Sequence, residues 1–286
     1  MTWLAIALIG IGIGDLVRST GRPPSRLAGH VVTPVVIVVL GLLAGMRTWA
    51  DWIALVLAAA AGAGWAELSR KTQMTGRRAL APLGVFAVLV LGLLGFSGAA
   101  SRPDGPLATW LRWADLPGHG PLSPTRVLLL TGLALFNLAT ANVIVRLVLL
   151  TIGALRPSDL TNANAAAAAA AASAGRPAPP TTRQPADRLK GGRLLGPMER
   201  LVILGLGLAG EFGAAGLVIA AKGLLRFPEI QAAARSADPA AGGTAAAGGT
   251  YNGGPAGIDD VTEYFLVGSF VSWLIALGSL VLTIGS

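Results

Sequence analysis

Six uninterrupted apolar runs, each close to the length of a bilayer core, constrain this chain more than any other feature. They cover residues 28–44, 52–66, 80–99, 127–150, 201–221 and 264–284. A hydrocarbon layer about 30 Å thick needs roughly 20 apolar residues at a helical rise of about 1.5 Å each. A backbone inside that layer must satisfy its own hydrogen bonds, so the runs read as helices rather than open strands. A seventh run, residues 3–14, is short for a crossing unless it continues past Asp15, and otherwise dips in and returns. No cation precedes it and no small-x-small site follows promptly, so a cleaved signal peptide is not expected. The expected fold is therefore an all-α polytopic transmembrane bundle of six or seven segments.

Composition agrees. Hydrophobic residues make up 53% of the 286 and charged ones only 13%, about half the share of an ordinary soluble domain. The absence of cysteine removes disulfides, cysteine nucleophiles and thiolate-bound metals from consideration. The net charge of +8 does not point to nucleic acid, because the basic residues form short clusters between apolar runs and build no phosphate-tracking stripe.

Those clusters set a topology. Lys and Arg number three in residues 15–27, one in 46–51, four in 67–79, three in 101–126, seven in 156–200 and three in 222–263. Alternate loops hold 14 against 7, and the richer set belongs on the cytoplasmic side. With seven crossings the N-terminus lies outside and the C-terminus in the cytoplasm. Two stretches, 161–188 and 231–257, are Ala-, Gly- and Pro-rich without an apolar face, and read as disordered linkers. The chain thus divides into an N-terminal membrane bundle over 1–155, a cytoplasmic linker over 156–189, and a C-terminal helix pair over 190–286.

Intramembrane charge is costly and marks candidate function. Glu211 lies near the middle of 201–221, Arg146 and Asn142 lie one turn apart in the fifth long run, and Asp15 closes the first. A polar pathway built on Glu211 and Arg146 is one expectation; an ion pair or neutral carboxyl that fixes helix register is the other. The LGLGLAG string at 204–210 contains G-x-G-x-x-G, but inside an apolar run it reads as close helix packing rather than a dinucleotide loop. Gly205, Ala209 and Gly213 share one face, as do Gly268, Ser272 and Ala276, so these two faces are expected to meet. His30 and His119 are the only histidines and stand apart, which makes no metal site. No nucleophile constellation or nucleotide motif is visible, so enzymatic activity and a cofactor are not expected.

Three blocks in the last third carry a resemblance: GGRLLGPMERLVIL at 191–204, GLVIAAKGLLRF at 216–227 and TEYFLVGSFVSWLIA at 262–276. Together they resemble a family of bacterial multi-pass membrane proteins catalogued as a domain of unknown function. That family also opens with His-x-x-Gly-Asp-Phe. Here Gly14 and Asp15 match it, whereas Ile11 replaces the His and Leu16 the Phe; His30 matches a later family histidine. The resemblance implies the positions Asp15, His30, Arg193, Glu199, Arg200, Lys222, Arg226, Glu263 and Tyr264. It also implies a bacterial cytoplasmic membrane. Arg193, Glu199 and Arg200 flank the sixth run, and Glu263 is expected to pair with Lys222 or Arg226. Were 201–221 a Gly-hinged hairpin instead of one span, Lys222 would return to the cytoplasmic side. The expected role is a structural or accessory membrane component, with a small transporter or channel as the second reading. Its expected partners are the lipid bilayer and either a cytoplasmic protein or a second copy of the chain.

Overall fold

The computed structural model describes residues 1–20, 23–114, 123–155, 192–235 and 258–284, with isolated positions 157, 166 and 173. Residues 161–165, 167–172 and 174–188 of the first linker, most of the second, and His119 lie outside the described residues. Nine helices are described: α1 (Thr2–Ser19), α2 (Pro23–Leu43), α3 (Trp49–Thr75), α4 (Leu80–Gly95), α5 (Pro106–Ala114), α6 (Pro124–Thr151), α7 (Gly192–Leu208), α8 (Phe212–Arg235) and α9 (Ile258–Ile284). Four contain stretches long and apolar enough to cross a membrane: Thr2–Ser19, Trp49–Thr75, Pro124–Thr151 and Glu263–Ile284. Gly29–Leu43, Leu80–Gly95 and Phe212–Leu224 are apolar but shorter. The expected six or seven full-length spans are thus matched by four.

Local signals explain the boundaries. Thr48 and Asp51 form a capping box at the start of α3, which ends at Gly76 with a left-handed φ of 71°. At the start of α6, Ser123 caps the helix and Pro124 occupies its first turn, where no amide donor is needed. Midway along α6 the residues Phe136–Thr140 form a π turn. The first apolar run extends past Asp15 to Ser19, which gives α1 a length of about 27 Å.

Helix α1 is the centre of the bundle, buried along Thr2–Gly12 and packed against α2, α3 and α6. Gly12 and Gly132 let α1 and α6 approach closely, since a Cβ on Gly132 would stand 2.9 Å from the Ala5 carbonyl. Cross-helix contacts also fix the directions. Trp3 meets Asp51 and Asp15 meets Trp65, so α1 and α3 run parallel. Asn137 meets Ser279 and Leu149 lies beside Gly268, so α9 runs antiparallel to α6. The bundle consequently has a Thr48 face, carrying the α2–α3 and α4–α5 connections, and a Gly76 face, where Pro157 packs on Gly76.

The run 201–221 is not one span. Helix α7 stops at Leu208, and Gly210 takes a φ of 81°. The amides of Gly210 and Glu211 donate back to Gly207 and Leu206, forming a Schellman cap. The Glu211 carbonyl then accepts from Ala215 as α8 begins. The two helices fold back on each other as a hairpin, and Glu211 is exposed at its turn. The C-terminal part is therefore three helices rather than a pair, and α8 continues through Arg235, into the stretch read as linker.

The expected small-residue contact is also corrected. Gly205, Ala209 and Gly213 are exposed, and a Cβ on Gly205 or Gly213 would meet nothing within 4 Å. Gly207 makes the close approach instead, against Leu280. Ser272 and Ala276 do face inward, together with Ser269, Ser279 and Thr283.

Candidate functional site

Two polar clusters lie within the apolar bundle. The first joins α1, α2 and α3. Asp15 is 4% exposed, pairs with Arg18 one turn later, and accepts from the Trp65 indole at 3.1 Å. Arg18 also donates to the Ala66 carbonyl at 2.6 Å, so one carboxylate and one guanidinium fasten α1 to α3. At the other end of the same helix pair the types are exchanged. The Trp3 indole donates to Asp51 at 2.7 Å, and Asp51 additionally accepts from Thr48 and from the Ser101 hydroxyl and amide. Asp51 is wholly buried, yet five donors converge on it, as a buried carboxylate requires. His30 sits nearer the surface, 3.0 Å from Glu67, which also holds Arg70 and Lys71.

The second cluster joins α6, α7 and α9 around Arg200, which is 2% exposed. Its Nε donates to the Asn137 main-chain carbonyl at 2.9 Å, one terminal nitrogen to Ser272 at 2.9 Å, and the other to Asn142 at 2.5 Å. Asn137 is itself fully buried in the π turn and donates to the Leu133 carbonyl and the Ser279 hydroxyl, both at 2.9 Å. All three side-chain and main-chain acceptors of Arg200 are neutral. Beside it, Glu199 pairs with Lys222 at 2.5 Å across the α7–α8 hairpin, both side chains largely buried. Among the described residues, buried polar atoms without a partner are the Arg18 Nε, Asn137 Oδ1, Thr140 Oγ1 and Trp273 Nε1.

These clusters redistribute the candidates taken from the sequence. Asn142 meets Arg200, and Arg146 lies on the exposed side of α6. Glu211 is at an exposed turn and does not approach the middle of the bundle. The Glu211 of the expected Glu211/Arg146 polar pathway is thus not placed inside the bundle, for a physical reason: Gly210 ends the helix before the acid. The Lys222 pair is Glu199, not Glu263, which is exposed near the start of α9. Tyr264 packs against the apolar cluster that includes Leu147, Leu149 and Leu150 of α6. Arg193 and Arg226 belong to α7 and α8, but their side chains lie outside the described residues. Sequence reading missed Trp3, Arg18, Asp51, Trp65 and Asn137, and took Ser272 for a packing residue alone. Asn137 alone carried a usable signal, as an amide within an apolar run.

Among the described residues no group of three or more His, Asp or Glu side chains is gathered to hold a metal ion. Compared with protein families, curated proteins and solved structures, the chain matches none. The arrangement of its own residues therefore carries the functional argument.

Proposed function

We propose that this chain is an integral membrane protein of structural or accessory type, a closed bundle that presents its basic loops to a partner on the cytoplasmic side. The observation that carries this reading is an inversion of ordinary solubility. Helix α2 turns Val31, Val35, Val39 and Leu42 outward, and α9 turns out Leu266, Phe270, Leu274, Leu277 and Val281. Asp15, Asp51, Asn137 and Arg200 are inside, bonded from helix to helix. Such an arrangement suits lipid as the surrounding medium, where an unpaired polar group costs several kcal/mol.

Counting α7 and α8 as separate passes, together with α1, α2, α3, α4, α6 and α9, makes eight. This count moves Arg226 and Arg235 to the Gly76 side, and with the buried Arg200 and Lys222 left out the balance sharpens to 15 against 4. The Gly76 face is then cytoplasmic by the positive-inside rule. In this reading Ile284 ends on the opposite, Thr48 face, which revises the cytoplasmic C-terminus expected from seven crossings. The three sequence blocks support a bacterial inner membrane, and the Glu199–Lys222 pair joins two of them.

A transport reading has one observation in its favour: the buried Asn137 Oδ1 and Thr140 Oγ1 lack partners in the same π turn that holds Arg200. π turns often accompany functional sites. Two measurements on the full-length protein separate the readings. Proteoliposomes loaded with a pH- or chloride-sensitive dye are expected to leak no faster than protein-free vesicles. Protein-dependent flux abolished by Arg200→Gln would transfer the assignment to transport. A photocrosslinker at position 176 in native membranes is expected to give a discrete heterologous adduct, and its absence would count against docking.

A further inference from the structure

Among the described residues, α5 is a short helix that the bundle reading leaves without a role. It follows Asp104 and Gly105, whose amides both donate to the Ala44 carbonyl at the end of α2, at 3.0 and 3.2 Å. That anchor holds α5 on the Thr48 face, beside the Ser101–Asp51 contact. Around its axis six of the nine residues sort into three stripes. Ala108 and Leu111 are buried against the bundle. Trp110 and Trp113, one turn apart, point to the opposite side and are 52% and 79% exposed. Thr109 and Arg112 lie between, bonded to each other at 3.3 Å.

The aromatic stripe has company. Trp49, at the first turn of α3, is 77% exposed, and Phe96, at the end of α4, is 71% exposed. Both belong to the same face, because α3 begins and α4 ends there. Four large aromatic rings, supplied by three helices, thus stand out at the level where the aliphatic stripes end. Arg47, Arg102 and Arg112 are exposed within the same connections, and Asp104 is an exposed acid among them.

We propose that α5 lies in the headgroup layer of the leaflet on the Thr48 face, with Trp110 and Trp113 at the boundary between headgroups and acyl chains and Arg112 on a lipid phosphate. The occupant is the bilayer surface itself. Indole is suited to this boundary, since it has a large apolar ring and one donor that needs a polar acceptor. An interfacial amphipathic helix buries its apolar side about 5–10 Å into that layer, with cations on the polar side. Continuity supports the same occupant: the rings extend the outward apolar surface of α2, α3 and α4, and the flanking arginines complement phosphate charge. This inference rests on the membrane reading.

The full chain contains no cysteine, so single-cysteine variants carry one spin label each without further change. Labels at 110, 113, 102 and 270 are compared in vesicles of zwitterionic lipid with and without anionic lipid. The ratio of oxygen to water-soluble nickel-chelate accessibility reads depth. Position 270 is expected deep, position 102 in water, and 110 and 113 between them. Water-like values at 110 and 113 with 270 still deep would overturn the proposal alone, whereas water-like values at 270 would overturn the membrane reading. In a label-free check, Trp110→Phe/Trp113→Phe is expected to lower the fluorescence quenched by lipids brominated near the headgroup, with Trp49 supplying the remainder. An unchanged quenched fraction would contradict the proposal.

Discussion

The guanidinium of Arg200 donates from Nε to the main-chain carbonyl of Asn137, 2.9 Å away and 63 residues earlier in the chain. This bond ties α7 to the π turn of α6, and the Ser272 bond ties the same side chain to α9. Replacing Arg200 by Met keeps much of the volume but strands a carbonyl, an amide oxygen and a hydroxyl. Interhelical hydrogen bonds in membrane proteins contribute roughly 0.6 kcal/mol each, so Arg200→Met is expected to cost about 2 kcal/mol in detergent unfolding. Arg200→Lys keeps the charge with fewer directed donors and is expected to fall between. A variant as stable as the parent would show that the cluster does not hold the helices together.

The exchanged Trp–Asp pairs of α1 and α3 make a second, independent test. Asp51 receives Trp3, Thr48 and Ser101, whereas Asp15 receives Trp65 and Arg18. In a double-mutant cycle, Trp3→Phe and Asp51→Asn are expected to couple by about 0.5–1.5 kcal/mol. Trp3→Phe and Trp65→Phe, at opposite ends of the α1–α3 pair, are expected to add without coupling.

Two glycines should differ in the size and cause of their sensitivity. Gly210 has open space around its missing Cβ, but its φ is 81°. Gly210→Ala is therefore expected to cost only the left-handed penalty of about 1–2 kcal/mol, and Gly210→Asn less. At Gly105 a Cβ would come within 2.4 Å of the Leu43 carbonyl and 2.5 Å of the Gly45 amide, neither of which can rotate away. Gly105→Ala is expected to lower the melting temperature more than Gly210→Ala; the reverse order would contradict the packing described at the end of α2.

Glu211 and Glu199 invert the importance that the sequence suggests. Glu211→Gln, at an exposed turn, is expected to change stability by less than about 0.5 kcal/mol. Glu199→Ala leaves the largely buried Lys222 without its carboxylate and is expected to cost about 2 kcal/mol. Thermal melts of both variants in one detergent decide the matter.

The apolar runs were legible because helix in lipid demands long stretches without charge, and 28–44, 80–99, 127–150 and 264–284 each coincide with a helix or nearly so. The hairpin was harder to read because no proline or charge cluster interrupts 201–221. Its break is one glycine, in a run where glycines usually mean packing, and the acid after it marks the turn. Arg200 read as a flank because the apolar run begins at Leu201. The helix begins at Gly192, which puts Arg200 midway along α7 and inside the bundle. The Trp–Asp pairs were invisible for a different reason: partners 48 and 50 residues apart leave no local pattern.

The most direct test asks which face carries position 211. In this cysteine-free chain, Glu211→Cys, Arg102→Cys and Arg77→Cys are each exposed to a membrane-impermeant maleimide in sealed vesicles of known orientation. The hairpin requires that 211 be labelled from the same side as 102 and that 77 be labelled only from the opposite side. Labelling of 211 from the side of 77, or from neither side as for an acid in mid-membrane, would contradict it.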